Sequence, residues 1–142
     1  MDNVAMINMQ PVCYAAIYLE FFHNRAHVDE CFRYWADELS DDYCGGSRHN
    51  PMTCNPKWEG RRLSNGGFYL TPMSRLTYLV SVAGNGYEGT MTAEAFGITL
   101  SLFALCFIAE KTEDDRDIAL YHALRDYALD HSESVEIMAA ID

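Results

Sequence analysis

The chain is short of basic residues: ten lysines and arginines stand against 21 aspartates and glutamates, for a formal net charge of −11 over 142 residues. An acidic surface repels DNA, RNA and anionic membranes. Direct nucleic-acid binding is therefore not expected. Many of the acids cluster at residues 37–42, 110–117 and 126–142. These clusters have two interpretations, either solvated helix faces or a DNA-like surface offered to a DNA-binding enzyme.

The sequence also lacks targeting and membrane signals. The longest apolar run, residues 95–109, falls short of the roughly 20 residues that span a bilayer and is interrupted by Gly97, Thr99 and Ser101. The N-terminus has no basic region that would mark a secretory signal. Five cysteines are an odd number, and without such a signal they favour reduced thiols over a disulfide framework. We therefore predict a cytoplasmic protein that makes no membrane contact.

The patterning that remains predicts an α+β fold. A hydrophobic share of 49% and an aromatic share of 13% are typical of a globular chain, and the length fits a single domain over residues 1–142. We predict a small antiparallel three-stranded meander packed against several helices. The predicted strands are 58–63, 67–71 and 76–83, and the predicted helices are 12–22, 26–39, 92–111, 115–130 and 134–141.

Two glycine-rich turns flank the last two predicted strands. The first contains Asn65-Gly66, a strong signal for a two-residue hairpin in which both central residues have φ > 0. The second matches the GxGxxG spacing of a dinucleotide loop, but it belongs to the predicted meander rather than to a βαβ unit, so we interpret it as a turn. The structural motif residues are Ser64, Asn65, Gly66 and Gly67, and then Gly84, Asn85, Gly86, Tyr87, Glu88 and Gly89.

No constellation in the sequence makes a convincing catalytic or metal site. Cys44, His49 and Cys54 have ligand types that suit zinc, but no fourth ligand is evident, and we expect the loop that contains them to be mobile and metal-free. Cys54 and His49 form a conceivable nucleophile pair, although nothing in the sequence orients the histidine. His23 and His27 have helical spacing but lack the glutamate of a zinc-protease motif. We predict no catalytic residue, metal or cofactor.

Four stretches, taken together, resemble the ArdB/KlcA family of plasmid-borne antirestriction proteins. They are DDYCGG (41–46), LSNGGFYLTP (63–72), SVAGNGYEGTMTAEAFGITLSLFAL (81–105) and LRDYALDHSESVEIMAAID (124–142). In order and spacing they extend over most of residues 31–142. The combination is specific, although each stretch alone is not.

One segment departs from the family pattern. The family runs from D-Y-x-G-G almost directly into W-x-F-Y, whereas here Gly60-Arg61 stands in place of Phe-Tyr and about ten extra residues precede Trp58. Because the strand loses two aromatic side chains, we expect residues 58–63 to be the weakest strand.

The resemblance implies a non-enzymatic protein that relieves type I restriction–modification of incoming plasmid DNA, through direct or indirect contact with that system. The alternatives are an acidic DNA mimic that occupies a DNA-binding groove and a small hydrolase that uses Cys54 and His49. From the residues themselves we expect the C-terminal helix to dock through an apolar side and to present Glu133, Glu136 and Asp142 outward as interaction candidates.

Overall fold

The computed structural model describes residues 6–23, 25, 27–43 and 56–142. Helices and antiparallel strands both occur, which confirms the predicted α+β class. The elements in chain order are β1 (Met9–Cys13), α1 (Tyr14–Ile17), a π-helical turn (Tyr18–Phe22), α2 (Val28–Leu39), β2 (Trp58–Leu63), β3 (Phe68–Pro72), β4 (Thr77–Val82), β5 (Tyr87–Thr92), α3 (Ala93–Thr112), α4 (Asp115–Leu129) and α5 (Ser134–Ile141).

The described strands form two antiparallel sheets, one of three strands in the order β1-β2-β3 and one of two strands, β4-β5. The prediction of a three-stranded antiparallel sheet is confirmed, but the predicted membership is wrong. Its third strand is β1, which runs beside β2 with Met9 opposite Leu63 and Val12 opposite Gly60. The strand predicted to complete the meander, β4, pairs with β5 instead.

The start of the predicted 12–22 helix is also wrong, because the chain is extended up to Cys13. Pro11 lies in β1 opposite Arg61. Proline cannot donate to a strand ladder but is tolerated on edge strands, and β1 is an edge of its sheet. Helix α1 starts only at Tyr14 and continues into the π-helical turn.

Strand β5 was not predicted, since Gly89 suggested that the glycine turn extended through residue 89. Tyr87, Thr90 and Thr92 are strand formers, and β5 pairs with β4 along its whole length, from Val82–Tyr87 to Thr77–Thr92. This register also excludes the dinucleotide-loop interpretation of the GxGxxG spacing, because Gly89 lies inside β5 rather than at the start of a helix.

Helix α3 lies at the centre of the core, as predicted, and contacts both sheets and helices α2, α4 and α5. Thr92 caps its N-terminus by accepting a hydrogen bond from the Ala95 N–H. Its 20 residues are long and apolar enough to cross a bilayer by length and composition, but its most apolar stretch is 67% buried inside the protein. That burial is typical of the core helix of a globular fold.

Helix α3 approaches β3 closely at Gly97. A Cβ atom at this position would meet the Leu70 carbonyl oxygen at 2.8 Å and would also clash with Thr71. The contact is polar as well as tight: the Thr71 hydroxyl donates to the Ala93 carbonyl at 2.6 Å, and Ser101 Oγ accepts from the Leu70 N–H at 3.1 Å. Glycine at position 97 is therefore a packing requirement.

The Asn65-Gly66 turn forms between β2 and β3, as predicted, but its geometry differs. Gly66 has φ +92°, whereas Asn65 is not among the described non-glycine residues with positive φ. The Leu63 N–H donates to the Gly67 carbonyl and the Gly66 N–H donates to the Leu63 carbonyl. This is a three-residue loop that ends in a left-handed glycine.

The Gly66→Val substitution should destabilise the fold by roughly 1–3 kcal/mol, because a β-branched residue is strained at positive φ. Gly84→Val is the matched control, since Gly84 also lies in an open turn but without positive φ, and it should change stability by no more than about 0.5 kcal/mol. Urea denaturation measures both variants. Equal stability of the two would contradict the strained-turn assignment.

Candidate interaction surface

A groove of about 950 Å³ separates the C-terminal end of α2 from the β4-β5 sheet. Its apolar part includes the rings of Trp35 and Phe103, which stack with centroids 4.8 Å apart. Leu79 on β4 also lines it and is 64% exposed. A large exposed leucine and two aromatic rings give the groove an apolar floor.

Four carboxylates line the same groove. Asp42 accepts a hydrogen bond from Ser40 Oγ at 2.5 Å and lies 3.9 Å from the Arg75 guanidinium. Glu38, Asp41 and Glu88 line the groove as exposed side chains and make no hydrogen bond or ion pair with any described residue. The groove therefore combines an apolar floor with free negative charge, which suits a cationic, partly apolar ligand.

The Gly84–Gly89 motif, predicted to be structural, attaches α5 to the β4-β5 sheet. Asn85 Oδ1 accepts from the Tyr87 N–H at 2.9 Å, while its amide nitrogen donates to the Ala140 carbonyl at 2.9 Å. Gly86 has φ +76°. Gly89 leaves room for the Tyr87 ring, whose hydroxyl a Cβ atom at position 89 would strike. Gly84 lies in the turn and lines the groove.

Glu88 differs from the rest of this motif. Its side chain is exposed, lines the groove and makes no hydrogen bond or ion pair with a described residue. The motif therefore separates into residues that dock a helix and one carboxylate that faces the groove.

The C-terminal acids are not arranged as predicted. Glu133 and Glu136 are half-buried and accept hydrogen bonds from β5, so the prediction that they face outward is wrong. The Thr92 N–H donates to Glu133 Oε1 at 3.1 Å and the Thr92 hydroxyl donates to Glu133 Oε2. The Tyr87 hydroxyl donates to Glu136 Oε1 at 2.5 Å. Asp142 is exposed, as predicted.

Two physical causes account for this difference. Strand β5 presents donors towards α5, namely the Thr92 N–H and hydroxyl and the Tyr87 hydroxyl, and the two glutamates accept from them. Burial, together with the hydrogen bond to Glu136, raises the pKa of Tyr87, so its hydroxyl remains a donor. Helix amphipathicity predicted that α5 docks, but it could not identify which polar groups take part.

The Ser64–Gly67 motif has a matching structural role. Asn65 Oδ1 accepts from the Gly67 N–H at 3.1 Å and its amide nitrogen donates to the Ala123 carbonyl on α4 at 2.9 Å. Ser64 Oγ accepts from the Asn8 N–H at 2.8 Å. A Cβ atom on Gly67 would press on Ala123 at 2.9 Å. This motif therefore holds α4 and the N-terminal segment against the three-stranded sheet.

The position at which the sequence departs from the family pattern contains a buried ion pair. Arg61 is 5% exposed, and its Nε lies 3.0 Å from Glu94 in the first turn of α3. Glu59 and the Tyr69 hydroxyl complete the cluster at 3.1 Å from Arg61 and 2.9 Å from Glu94. Strand β2 is paired on both sides, so the strand is formed although it lacks the two aromatic side chains.

The pKa values of Arg61 and Tyr69 are both raised within this cluster. Burial acts to lower the pKa of Arg61, but the hydrogen bond and charge of Glu94 outweigh it and hold that pKa above its ordinary value. Burial and the neighbouring Glu94 charge raise the pKa of Tyr69. The arginine stays charged and the tyrosine stays neutral, as a structural ion pair requires.

The candidate zinc ligands and nucleophile pair, Cys44, His49 and Cys54, lie outside the described residues. Within the described ranges no three His, Cys, Asp or Glu side chains are grouped so that they could hold a metal ion. Cys31 and Cys106 are half-buried free thiols whose pKa is raised, chiefly by burial. His27 is exposed and lies 3.2 Å from Glu30, and His23 is also exposed.

Comparison with known proteins gives a consistent result. A family model described as antirestriction protein matches residues 53–142. The antirestriction protein KlcA of Escherichia coli is 36% identical over 112 residues, which are 76% of this chain and 70% of KlcA. The uncharacterized protein YfjX of Escherichia coli K12 is 39% identical over 112 residues, 76% of this chain and 66% of YfjX. The alignments thus span about two thirds of these relatives' lengths.

The fold itself has a counterpart of known structure. A solved structure from work on the KlcA and ArdB proteins matches with a TM-score of 0.65 and 31% sequence identity, covering 99% of this chain and 100% of that chain. That work describes a novel fold and antirestriction activity against type I DNA restriction systems in vivo but not in vitro.

Substitutions at Asn85 and Glu88 should separate the two roles of the second glycine motif. Asn85→Ala removes the hydrogen bonds that join the turn to α5 and should cost roughly 1–3 kcal/mol of stability. Glu88→Gln changes an exposed side chain and should cost no more than about 0.5 kcal/mol. Thermal or urea unfolding measures both. A destabilised Glu88→Gln variant beside a stable Asn85→Ala variant would reverse the assignment.

Proposed function

The chain belongs to the antirestriction protein family, and from this premise we propose that it relieves restriction of incoming plasmid DNA by type I restriction–modification systems. The observation that carries the proposal is the likeness to the solved KlcA/ArdB-type structure, which extends over 99% of the chain. Because the likeness is of the whole fold, it includes both glycine motifs and the C-terminal helix.

We propose that the activity is exerted through a protein contact rather than through catalysis. The groove between α2 and the β4-β5 sheet supports this proposal, since Glu38, Asp41 and Glu88 leave it negatively charged above an apolar floor. A net charge of −11 opposes a direct contact with DNA. The same charge favours encounter with the basic surface of a DNA-handling protein.

We propose that the protein acts on the restriction system indirectly. KlcA and ArdB are described as active in vivo but not in vitro, and we infer that a further cellular component is needed for this chain as well. The alternative is a DNA mimic that occupies the DNA-binding groove of the restriction enzyme. Inhibition of a purified type I enzyme by the purified protein would favour the mimic, because that assay contains no other component.

Plating of unmodified phage tests the proposed function. On a host with a type I restriction system, expression of the protein should raise plating efficiency towards that of a non-restricting host. Phage already modified for that host should plate equally with and without the protein, which controls for effects on growth. No difference for unmodified phage, at confirmed expression of folded protein, would refute the proposal.

Among the C-terminal interaction candidates, Asp142 remains accessible and is proposed to contribute to the contact. Asp142→Asn should lower antirestriction while changing stability by no more than about 0.5 kcal/mol. Asp130→Asn, another exposed acid at a helix end, is the matched control and should retain activity. Glu133 and Glu136 are unsuitable for this test because they dock α5. Equal plating efficiency with the two variants would remove Asp142 from the proposed surface.

A further inference from the structure

The two edges of the β4-β5 sheet have different neighbours. Helix α5 contacts β5, and the outward N–H of Thr92 on that edge donates to Glu133. On β4, the N–H of Leu79 points away from β5 and is 3.4 Å from Asp42 Oδ2. Residues two apart in an antiparallel strand direct their backbone groups to the same side. The N–H and C=O of Ser81 therefore point away from β5 as well.

Ser81 is exposed and lines the groove, and its backbone makes no hydrogen bond to a described residue beyond β5. Unpaired strand edges bind further strands readily, and folded proteins usually cover or block them. Among the described residues, helix α5 covers one edge of this two-stranded sheet, while the other edge is open at Ser81, beside the carboxylates of Glu38, Asp41 and Glu88. The exposed Leu79 and the Trp35–Phe103 stack lie beside the same open edge.

We propose that this groove binds a short, extended, arginine- or lysine-bearing segment of a partner protein, which adds to the β4 edge at Ser81. Backbone hydrogen bonds to Ser81 supply the pairing, as in other strand additions. Glu38, Asp41 and Glu88 receive the cationic side chains, and the apolar floor receives their aliphatic stems. The inference rests on the proposed function and deepens it by naming a surface and the chemistry of its partner.

Charge complementarity selects this occupant. A second copy of the chain carries the same net charge of −11 and would bring like charge to an already negative groove, which is unfavourable. Binding of nucleic acid to the groove is unfavourable for the same reason, because its phosphates are also negative. A cationic peptide segment matches the free carboxylates, the apolar floor and the open backbone edge together.

Binding of a defined peptide tests the groove. The probe is a fluorescein-labelled heptapeptide of alternating arginine and valine, followed by fluorescence anisotropy at about 0.15 M salt, where distant charges are largely screened. The variant Glu38→Gln/Asp41→Asn/Glu88→Gln should weaken binding by about tenfold or more. The control Glu113→Gln/Asp126→Asn/Asp130→Asn removes as many exposed charges outside the groove and should weaken it by about threefold or less.

A matched pair of substitutions at Ser81 tests the strand-addition step separately. Ser81→Pro removes the outward N–H while leaving the β5 ladder intact, because proline is tolerated where that N–H faces solvent. It should weaken peptide binding by about threefold to tenfold, the loss of one hydrogen bond, whereas Ser81→Ala should not. If Ser81→Pro does not fold, a probe N-methylated at alternate residues tests the same pairing against the unaltered protein and should bind more weakly.

Several outcomes would overturn the inference. These are equal weakening by the groove and control variants, unchanged binding after loss of the Ser81 N–H or probe N-methylation, and concentration-dependent dimerisation that the groove variant abolishes. Its failure is distinguishable from failure of the proposed function. If the groove variant no longer binds the probe but still protects unmodified phage, the groove inference fails and the antirestriction proposal stands. If the unaltered protein binds the probe but gives no protection, the antirestriction proposal fails.

Discussion

The close packing of α3 on β3 is the constraint on which the other contacts depend. Gly97 lets the helix axis approach the Leu70 carbonyl so closely that no side chain fits between them, and Thr71 and Ser101 satisfy the polar groups that this approach buries. With α3 fixed against one sheet, its remaining faces contact α2, α4, α5 and the second sheet. One hydrophobic cluster results, because a helix apolar on nearly all sides can bury itself only at the centre of a fold.

The same pattern of asparagine hydrogen bonds attaches helices α4 and α5 to the sheets. Asn65 and Asn85 each accept the N–H two residues ahead and each donate to a carbonyl of a helix, Ala123 on α4 and Ala140 on α5. In both turns the following glycine takes positive φ. One short asparagine side chain therefore stabilises the turn and also hydrogen-bonds to the neighbouring helix. The most distinctive sequence motifs of the chain therefore correspond to contacts that dock helices on the sheets.

The sequence predicted the elements whose signals are local, and tertiary contacts decided the rest. Helix α3 was predictable from its capping threonine and its continuous apolar run, and α5 from its amphipathic pattern. Strand β1 was not, because a strand that contains Pro11 is recognisable only from its edge position beside β2. The burial of Arg61 could not be predicted either, since its partner Glu94 is 33 residues away in the sequence.

The sequence indicated that the candidate site is acidic and which motif residues belong to it. It did not indicate which of these residues dock a helix and which face the groove. The apolar side of α5 and the cost of burying charge predicted that Glu133 and Glu136 face solvent, whereas the donors they satisfy lie on a strand that the glycine pattern concealed. Glu88, counted among the structural residues, is an exposed carboxylate that lines the groove. Such a distinction needs the sheet register, because neighbouring residues of a strand face opposite sides.

Because some residues dock α5 on the β4-β5 sheet and others line the groove, a loss of activity has a different meaning for each group. Glu133 and Glu136 hold α5 along β5, and Asn85 ties the end of α5 to the turn that leads back to the groove. A substitution at any of the three loosens the covered edge and can move the groove wall at Gly84 without touching a partner. Lost activity in such variants therefore indicates a displaced helix unless stability is unchanged. Substitutions at Glu38, Asp41 and Glu88 carry no such ambiguity, because these carboxylates hold no described part of the fold in place.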